Sequence, residues 1–385
     1  MYLTYLLMVS SAGVTFVFLE DVETLYGIPS WGIGLIASLG FVTAVFASLV
    51  IAPLGDRGLL TGLGVVAFAM AIAGNLWIGF ADELWSLAAS RSLASMGAGV
   101  FSVVGRKALI GETTETGAEK VGAFVSAAVA GFIAGPAIGA QLGELGGIET
   151  PYVVIAIVLG LLTAPTLVWL RSTPVAISES IRTRDALPLL RRPGVRAAVA
   201  CYVAVFFNIG VFDATVDEYL TDLGASTTEV GLILVVIGLP LLIVPRLAGR
   251  YVDNAARPAM IMLGATMVFV PVISTIALWV GLAVFVTFAT IQTLGESVIF
   301  PSTTRVVLDE AGAHRSALGT GLVDAAGHSA AALSAFIAPI LYDTTDGPLG
   351  PFGMSAVVAL VLFLVAWRNV VSRDDARIEA RRVGL

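Results

Sequence analysis

The sequence predicts an all-α polytopic membrane protein: twelve transmembrane helices arranged as two six-helix pseudo-repeats. Three observations predict it. Hydrophobic residues make up 57% of the 385 residues and charged residues 13%, a balance foreign to a water-soluble domain. The apolar residues gather into twelve runs, each near the roughly 20 residues that cross a hydrocarbon core. The connections between them alternate between acidic and basic. Long continuous runs read as helices, because a membrane barrel would show short alternating segments.

Taken in order, span 2–19 is followed by Glu20 and Asp21, span 29–54 by Arg57, and span 59–80 by Asp82 and Glu83. Span 82–107 ends on Arg106 and Lys107, with Lys120 just beyond. Span 119–143 leads to Glu144 and Glu149, and span 150–170 to six arginines between Arg171 and Arg196. In the second half, span 195–217 ends at Asp217 and Glu218, and span 227–248 lies beside Arg246, Arg250 and Arg257. Spans 258–280 and 282–307 follow, the latter flanked by Arg305 and Arg315. Span 317–341 leads to Asp343 and Asp346, and span 349–368 to a tail running from Arg368 to Arg382. Every lysine and arginine but Arg91 thus falls on one side of an alternating topology. Positive charge is retained in the cytoplasm, so both termini are expected there, in the cell membrane. The first run has no basic residue before it and reads as a retained span rather than a signal peptide.

The net charge of −7 argues against a nucleic-acid partner. A single cysteine, Cys201, excludes an internal disulfide and a thiolate metal cage. No cofactor and no metal are expected, and the surrounding partner is the lipid bilayer.

The longest polar interruption, Arg171–Arg196, contains Pro174, Pro188 and Pro193 and divides the chain. The expected organisation is a bundle over 1–170, a cytoplasmic linker over 171–194, a second bundle over 195–368 and a tail over 369–385. The bundles repeat. Gly27–Ile36 aligns with Gly224–Ile233, Glu20-Asp21 with Asp217-Glu218, and Asp56 with Asp253. Farther along, Arg106 pairs with Arg305 and Gly122 with Gly321. A nearly constant offset across several spans indicates duplication, and duplicated membrane halves with a site between them are the build of alternating-access transporters.

The connection after the second span reads Ala52-Pro53-Leu54-Gly55-Asp56-Arg57-Gly58, and the one after the eighth reads Gly249-Arg250-Tyr251-Val252-Asp253-Asn254. The fourth span carries Arg91-Ser92-Leu93-Ala94-Ser95-Met96-Gly97. The fifth carries Gly131-Phe132-Ile133-Ala134-Gly135-Pro136-Ala137-Ile138-Gly139. Together these resemble the major facilitator superfamily over the whole chain, and the fifth-span pattern resembles its drug/proton antiporter branch. The resemblance implies conformational gating by Asp56, Arg57, Arg106 and Asp253 at the cytoplasmic side, and by Gly131, Gly135, Pro136 and Gly139 within the bundle. Independently of it, glycines four apart share a helix face and admit a neighbouring backbone, while Pro136 removes a helix hydrogen bond.

Charges inside the spans cost several kcal/mol unless paired or hydrated. Here they are Arg91, Asp213, Glu296, Asp324 and His328. All sit on spans that the resemblance places around a central cavity; the spans it places against lipid carry none. At about 1.5 Å per residue, Glu296 and His328 lie near mid-membrane, with Asp324 one turn from His328. Glu296, Asp324 and His328 are therefore expected to form one proton-exchanging cluster, with Arg91 matching the fourth-span arginine implicated in proton translocation in the superfamily. Asp213, Asn208, Gln292, Tyr202 and Trp31 are expected as cavity-lining residues, with Asp213 near the outer rim. The reading is a monomeric secondary transporter, not an enzyme: it moves a small-molecule substrate, with protons as coupling ion and efflux of small, mostly apolar compounds as the specific form. An importer of a small metabolite shares these features, and a non-transporting receptor on the same fold is the alternative of another class. His314 in a connection and His328 alone in a span leave no nucleophile–base pair, and no phosphate loop is present.

Overall fold

The computed structural model describes residues 1–51, 59–112, 117–173, 183–264, 281–311 and 316–382. Among these, the N-terminal half holds α1 (Tyr2–Phe16), α2 (Leu19–Tyr26), α3 (Ser30–Phe46), α4 (Leu60–Ile78), α5 (Leu84–Glu112), α6 (Gly117–Gly146) and α7 (Thr150–Ser172). The C-terminal half holds α8 (Pro193–Asp222), α9 (Thr227–Gly264), α10 (Leu282–Ala311), α11 (Ser316–Thr344) and α12 (Leu349–Arg382). Nine of these helices are long and apolar enough to cross a membrane, and the bent pair α1–α2 makes a tenth, among the described residues. Helix α3 is shorter and runs into a single π-turn, Ala47–Ile51.

Three boundaries differ from the sequence reading. The first span breaks after Phe16, where α1 and α2 meet at 54°; the acids Glu20 and Asp21 then occupy the first turn of α2, where the helix dipole favours them. Helical backbone continues through 249–257, expected as a connection. The tail expected after residue 368 continues α12 to Arg382. Of the expected ninth span, only 258–264 falls within the described residues, at the end of α9.

Duplication is visible in the packing. Helix α1 packs on α6 and, equivalently, α8 packs on α11. A Cβ at Gly13 would collide with the Phe132 carbonyl on α6, and one at Gly210 with the Ala331 carbonyl on α11. These two glycines stand at the same offset as Gly27 and Gly224, whose positive φ values of 62° and 88° end α2 and α8 in conformations that glycine adopts freely. Without a hydrophobic force between helices in lipid, such close backbone approaches carry the association. The halves meet through two equivalent pairs, α3 with α11 and α6 with α9. Gly34 sits against the Phe336 backbone in the first and Gly231 against Pro136 in the second.

Two cavities and the buried charges around them

A cavity of about 700 Å³ lies between the halves. Arg106 and Lys107 stand at one end of its lining; Phe16 and Arg91, from nearer the other ends of their helices, complete it, with Asp324 and His328 on the C-terminal wall. The acidic ends of the helices are drawn together. There the Glu20 amide donates to Asp217 Oδ2 at 3.1 Å and Ser30 Oγ to Asp343 Oδ2 at 3.2 Å, both across the halves. Thr228 and Glu144 form a third cross-half hydrogen bond. Within the C-terminal half, Tyr342 donates to Asp222 at 2.5 Å.

Tyr202, expected as a lining residue, lines neither cavity; its hydroxyl instead donates to Asp324 Oδ1 of the C-terminal wall at 2.9 Å. His328 Nδ1 donates to the Asp324 carbonyl at 2.8 Å, since a carbonyl oxygen can only accept. The imidazole packs 4.8 Å from the Phe206 ring and 6.5 Å from Phe41, which comes from the other half. On the N-terminal wall, Arg91 is 3% exposed. Its guanidinium lies 5.0 Å from the Phe16 ring centroid, within cation–π range, and its Nε has no hydrogen-bond partner.

Glu296 is not part of this wall. It lines a second, smaller cavity of about 110 Å³ together with Asp213, Gln292 and Asn208. Gln292 Nε2 donates to Glu296 Oε1 at 2.8 Å, one helical turn away, and Ser355 donates to Asn208 Oδ1 at 2.9 Å. The expected single cluster is therefore two: Asp324 with His328 in the large cavity, Glu296 with Asp213 in the small one. Depth along a helix does not fix direction around it. Phe300, one turn beyond Glu296 on α10, packs 5.5 Å from the Tyr202 ring that bonds Asp324, so α10 presents an aromatic surface toward Asp324. Asp213 is 6% exposed, not an exposed residue of the rim: it lines the small cavity together with Phe16, Phe132, Phe212 and Phe352.

Trp31 is 44% exposed and packs beside Trp85 at 6.4 Å; it lines neither cavity. The glycines of α6 face α1: a Cβ at Gly131 would collide with the Leu6 carbonyl and one at Gly135 with the Ser10 carbonyl, while at Gly139 it would approach Val17 at 3.1 Å. Pro136 lies inside α6 and lines the small cavity. Arg106 lines the large one. Asp56 and Arg57 fall outside the described residues; Asp253 lies on α9 with its side chain outside them. Phe16 escaped the sequence reading, since one aromatic in an apolar run carries no signal, yet it lines both cavities. The Gln292–Glu296 bond was legible from its spacing of four.

The sequence profile of the Major Facilitator Superfamily matches residues 1–220 and again residues 198–383. No curated protein matches the sequence significantly. Among solved structures, the chain is similar to the nucleoside transporter NupG, with 10% identity and a TM-score of 0.77 over 96% of this chain and 98% of that one. It is also similar to a bacterial homolog of the human lysosomal transporter Spinster in an inward-facing, occupied conformation, with 11% identity and a TM-score of 0.73 over 96% and 95%. The unoccupied inward-facing form of that homolog gives 13% identity and a TM-score of 0.66 over 96% and 93%.

Proposed function

The chain belongs to the major facilitator superfamily, and from that premise we propose that this multi-pass transporter is proton-coupled and exports small, mostly apolar compounds by alternating access. The observation that carries the reading is the separation of ionisable groups into two sites on the C-terminal half, the half-buried Asp324 with His328 and the buried Glu296 with Asp213, at or beside a cavity closed at its acidic end. An unneutralised buried carboxylate in low dielectric is costly to keep ionised, so the site of Glu296 and Asp213 binds a proton for part of the cycle. Proton loss changes which arrangement of the halves is favoured, which links proton and substrate movement.

In this reading the bundles are residues 1–170 and 195–368, joined by a cytoplasmic linker over 171–194 and followed by a cytoplasmic tail over 369–385. The basic end faces the cytoplasm of a cell whose plasma membrane holds the protein as a monomer, and the conformation described is open to that side. Arg91 supplies the positive charge of the N-terminal half. Phe16, Phe41 and Tyr5 give the large cavity its apolar lining, suited to a mostly apolar substrate. Asp56, Arg57, Arg106 and Asp253 would gate the cytoplasmic side, and the glycine face of α6 with Pro136 would let α1 and α6 move as one body.

The test is transport by the purified full-length protein in proteoliposomes with an imposed pH gradient, screened against apolar compounds. Accumulation that follows the gradient and collapses when a protonophore dissipates it is expected. Accumulation indifferent to the gradient contradicts proton coupling, and concentration of substrate only with a gradient of the opposite sense contradicts export.

A further inference from the structure

The small cavity has a composition that the transport reading does not use. We propose that it is a binding site for one organic ammonium group, held by Asp213, Gln292 and Glu296 and enclosed by phenylalanine rings. Its volume of about 110 Å³ exceeds the roughly 10–15 Å³ that one water needs and suits a small organic group.

The polar groups contributed to it are acceptors in want of donors. Asp213, Gln292 and Glu296 are 6%, 7% and 5% exposed. Asp213 Oδ2 and Gln292 Oε1 have no hydrogen-bond partner. The Gln292 amide group is committed to Glu296 Oε1, so its carbonyl oxygen is the atom left over, and Glu296 retains a second oxygen. Thr293 and Ser355, the hydroxyls nearest to hand, are spent on the Ala289 carbonyl and on Asn208. Buried acceptors without donors are costly, and these two, with the second Glu296 oxygen, match the three N–H donors of a primary ammonium.

Among the described residues, no cation supplies those donors. The lining from α1, α6, α9 and α12 is apolar: Phe16, then Phe132 to Pro136, Leu234 to Leu241, and Phe352. Arg91 is the cation whose charge acts on Asp213, and Glu296 the like charge. Arg91 lines the large cavity but not the small one, and Phe16, which lines both, lies against its guanidinium. Arg91 thus acts on Asp213 as a charge and not as a hydrogen-bond donor within the small cavity. An alkali ion would need about six oxygens around it, more than this aromatic box offers, whereas an alkylammonium gains from the ring faces as well as the carboxylates. An apolar neutral ligand would leave the acceptors unsatisfied. The acidic end of the bundle adds to the case: Glu20, Asp21, Glu23, Asp217, Glu218, Asp222 and Asp343 concentrate cations near that face.

The inference deepens the transport reading and rests on it only for the ligand's being a substrate; occupancy of the cavity is independent of it. Calorimetric titration of the full-length protein in detergent, without any gradient, separates the two. The probes are hexylammonium, 1-hexanol and sodium ion at constant pH and ionic strength. Hexylammonium is expected to bind at least about tenfold more tightly than 1-hexanol, the difference one charge-assisted contact makes. Asp213→Asn and Gln292→Met are expected to weaken it about tenfold and severalfold, while Trp31→Ala, outside both cavities, leaves it unchanged. Should Asp213→Asn fail to fold, Gln292→Met decides. Equal affinity for 1-hexanol, unchanged affinity in both variants, or Asp213-dependent displacement by sodium overturns the ammonium assignment. Binding lost with gradient-driven transport intact sinks this inference alone; binding present without such transport sinks only the transport reading.

Discussion

The two halves share a backbone plan and differ in charge. Gly13 and Gly210 perform the same close approach in α1–α6 and α8–α11, and the inter-half pairs α3–α11 and α6–α9 mirror one another. Yet, among the described residues, the buried charged side chain that the N-terminal half contributes to the cavities is the cation Arg91, whereas those of the C-terminal half are the acids Asp213 and Glu296, with Asp324 and His328 half-buried in the large cavity. The lesson is a division of labour: the duplicated contacts hold each bundle rigid, and the unduplicated charges make the cavity between them asymmetric. An asymmetric cavity is what proton coupling requires, since one bundle can then change protonation while the other serves as a fixed counter-charge.

The shared plan breaks most severely at its glycines. Gly135→Val and Gly210→Val should each destabilise by about 1–3 kcal/mol or more, because an added side chain forces the paired helices apart. Thermal unfolding in detergent should show similar losses for both; a large loss in one half alone would deny the equivalence of the two packings. The fixed counter-charge comes next. Arg91→Lys keeps the charge but loses the planar donor array and its seat on Phe16, so transport should fall about tenfold at normal expression. Wild-type flux would reduce Arg91 to a packing residue. A smaller effect is expected from Tyr202→Phe, which removes a hydrogen bond to Asp324 worth about 1 kcal/mol; the pH dependence of transport should shift while the maximal rate changes little. Smallest of all is Trp31→Ala, outside both cavities, which should leave transport unchanged and stability within about 0.5 kcal/mol.

Hydropathy and charge alternation made the fold legible, because lipid imposes helix length and the connections record their side. The break after Phe16 was not legible: Val17 and Phe18 carry no proline or glycine, and the bend is held by the Val17 and Phe18 amides donating to Val14 and Thr15 carbonyls. For the site, the sequence delivered the residue types of Glu296, Asp324 and His328 and the helices that carry them, but not their azimuth. That angle is set by packing, as where Phe300 meets Tyr202 and Phe206. Asp213 was misplaced for a related reason, since the rings that bury it come from four helices. Trp31 looked like a lining residue on its span and proved to be a surface partner of Trp85.

The central claim is that carboxylates of the C-terminal half exchange the coupling proton. Its most direct test compares gradient-driven accumulation with substrate exchange in proteoliposomes for Glu296→Gln and Asp324→Asn, each a permanent mimic of the protonated state. The account predicts that at least one variant loses accumulation by about tenfold or more while keeping downhill exchange. Full gradient-driven accumulation in both variants would contradict it.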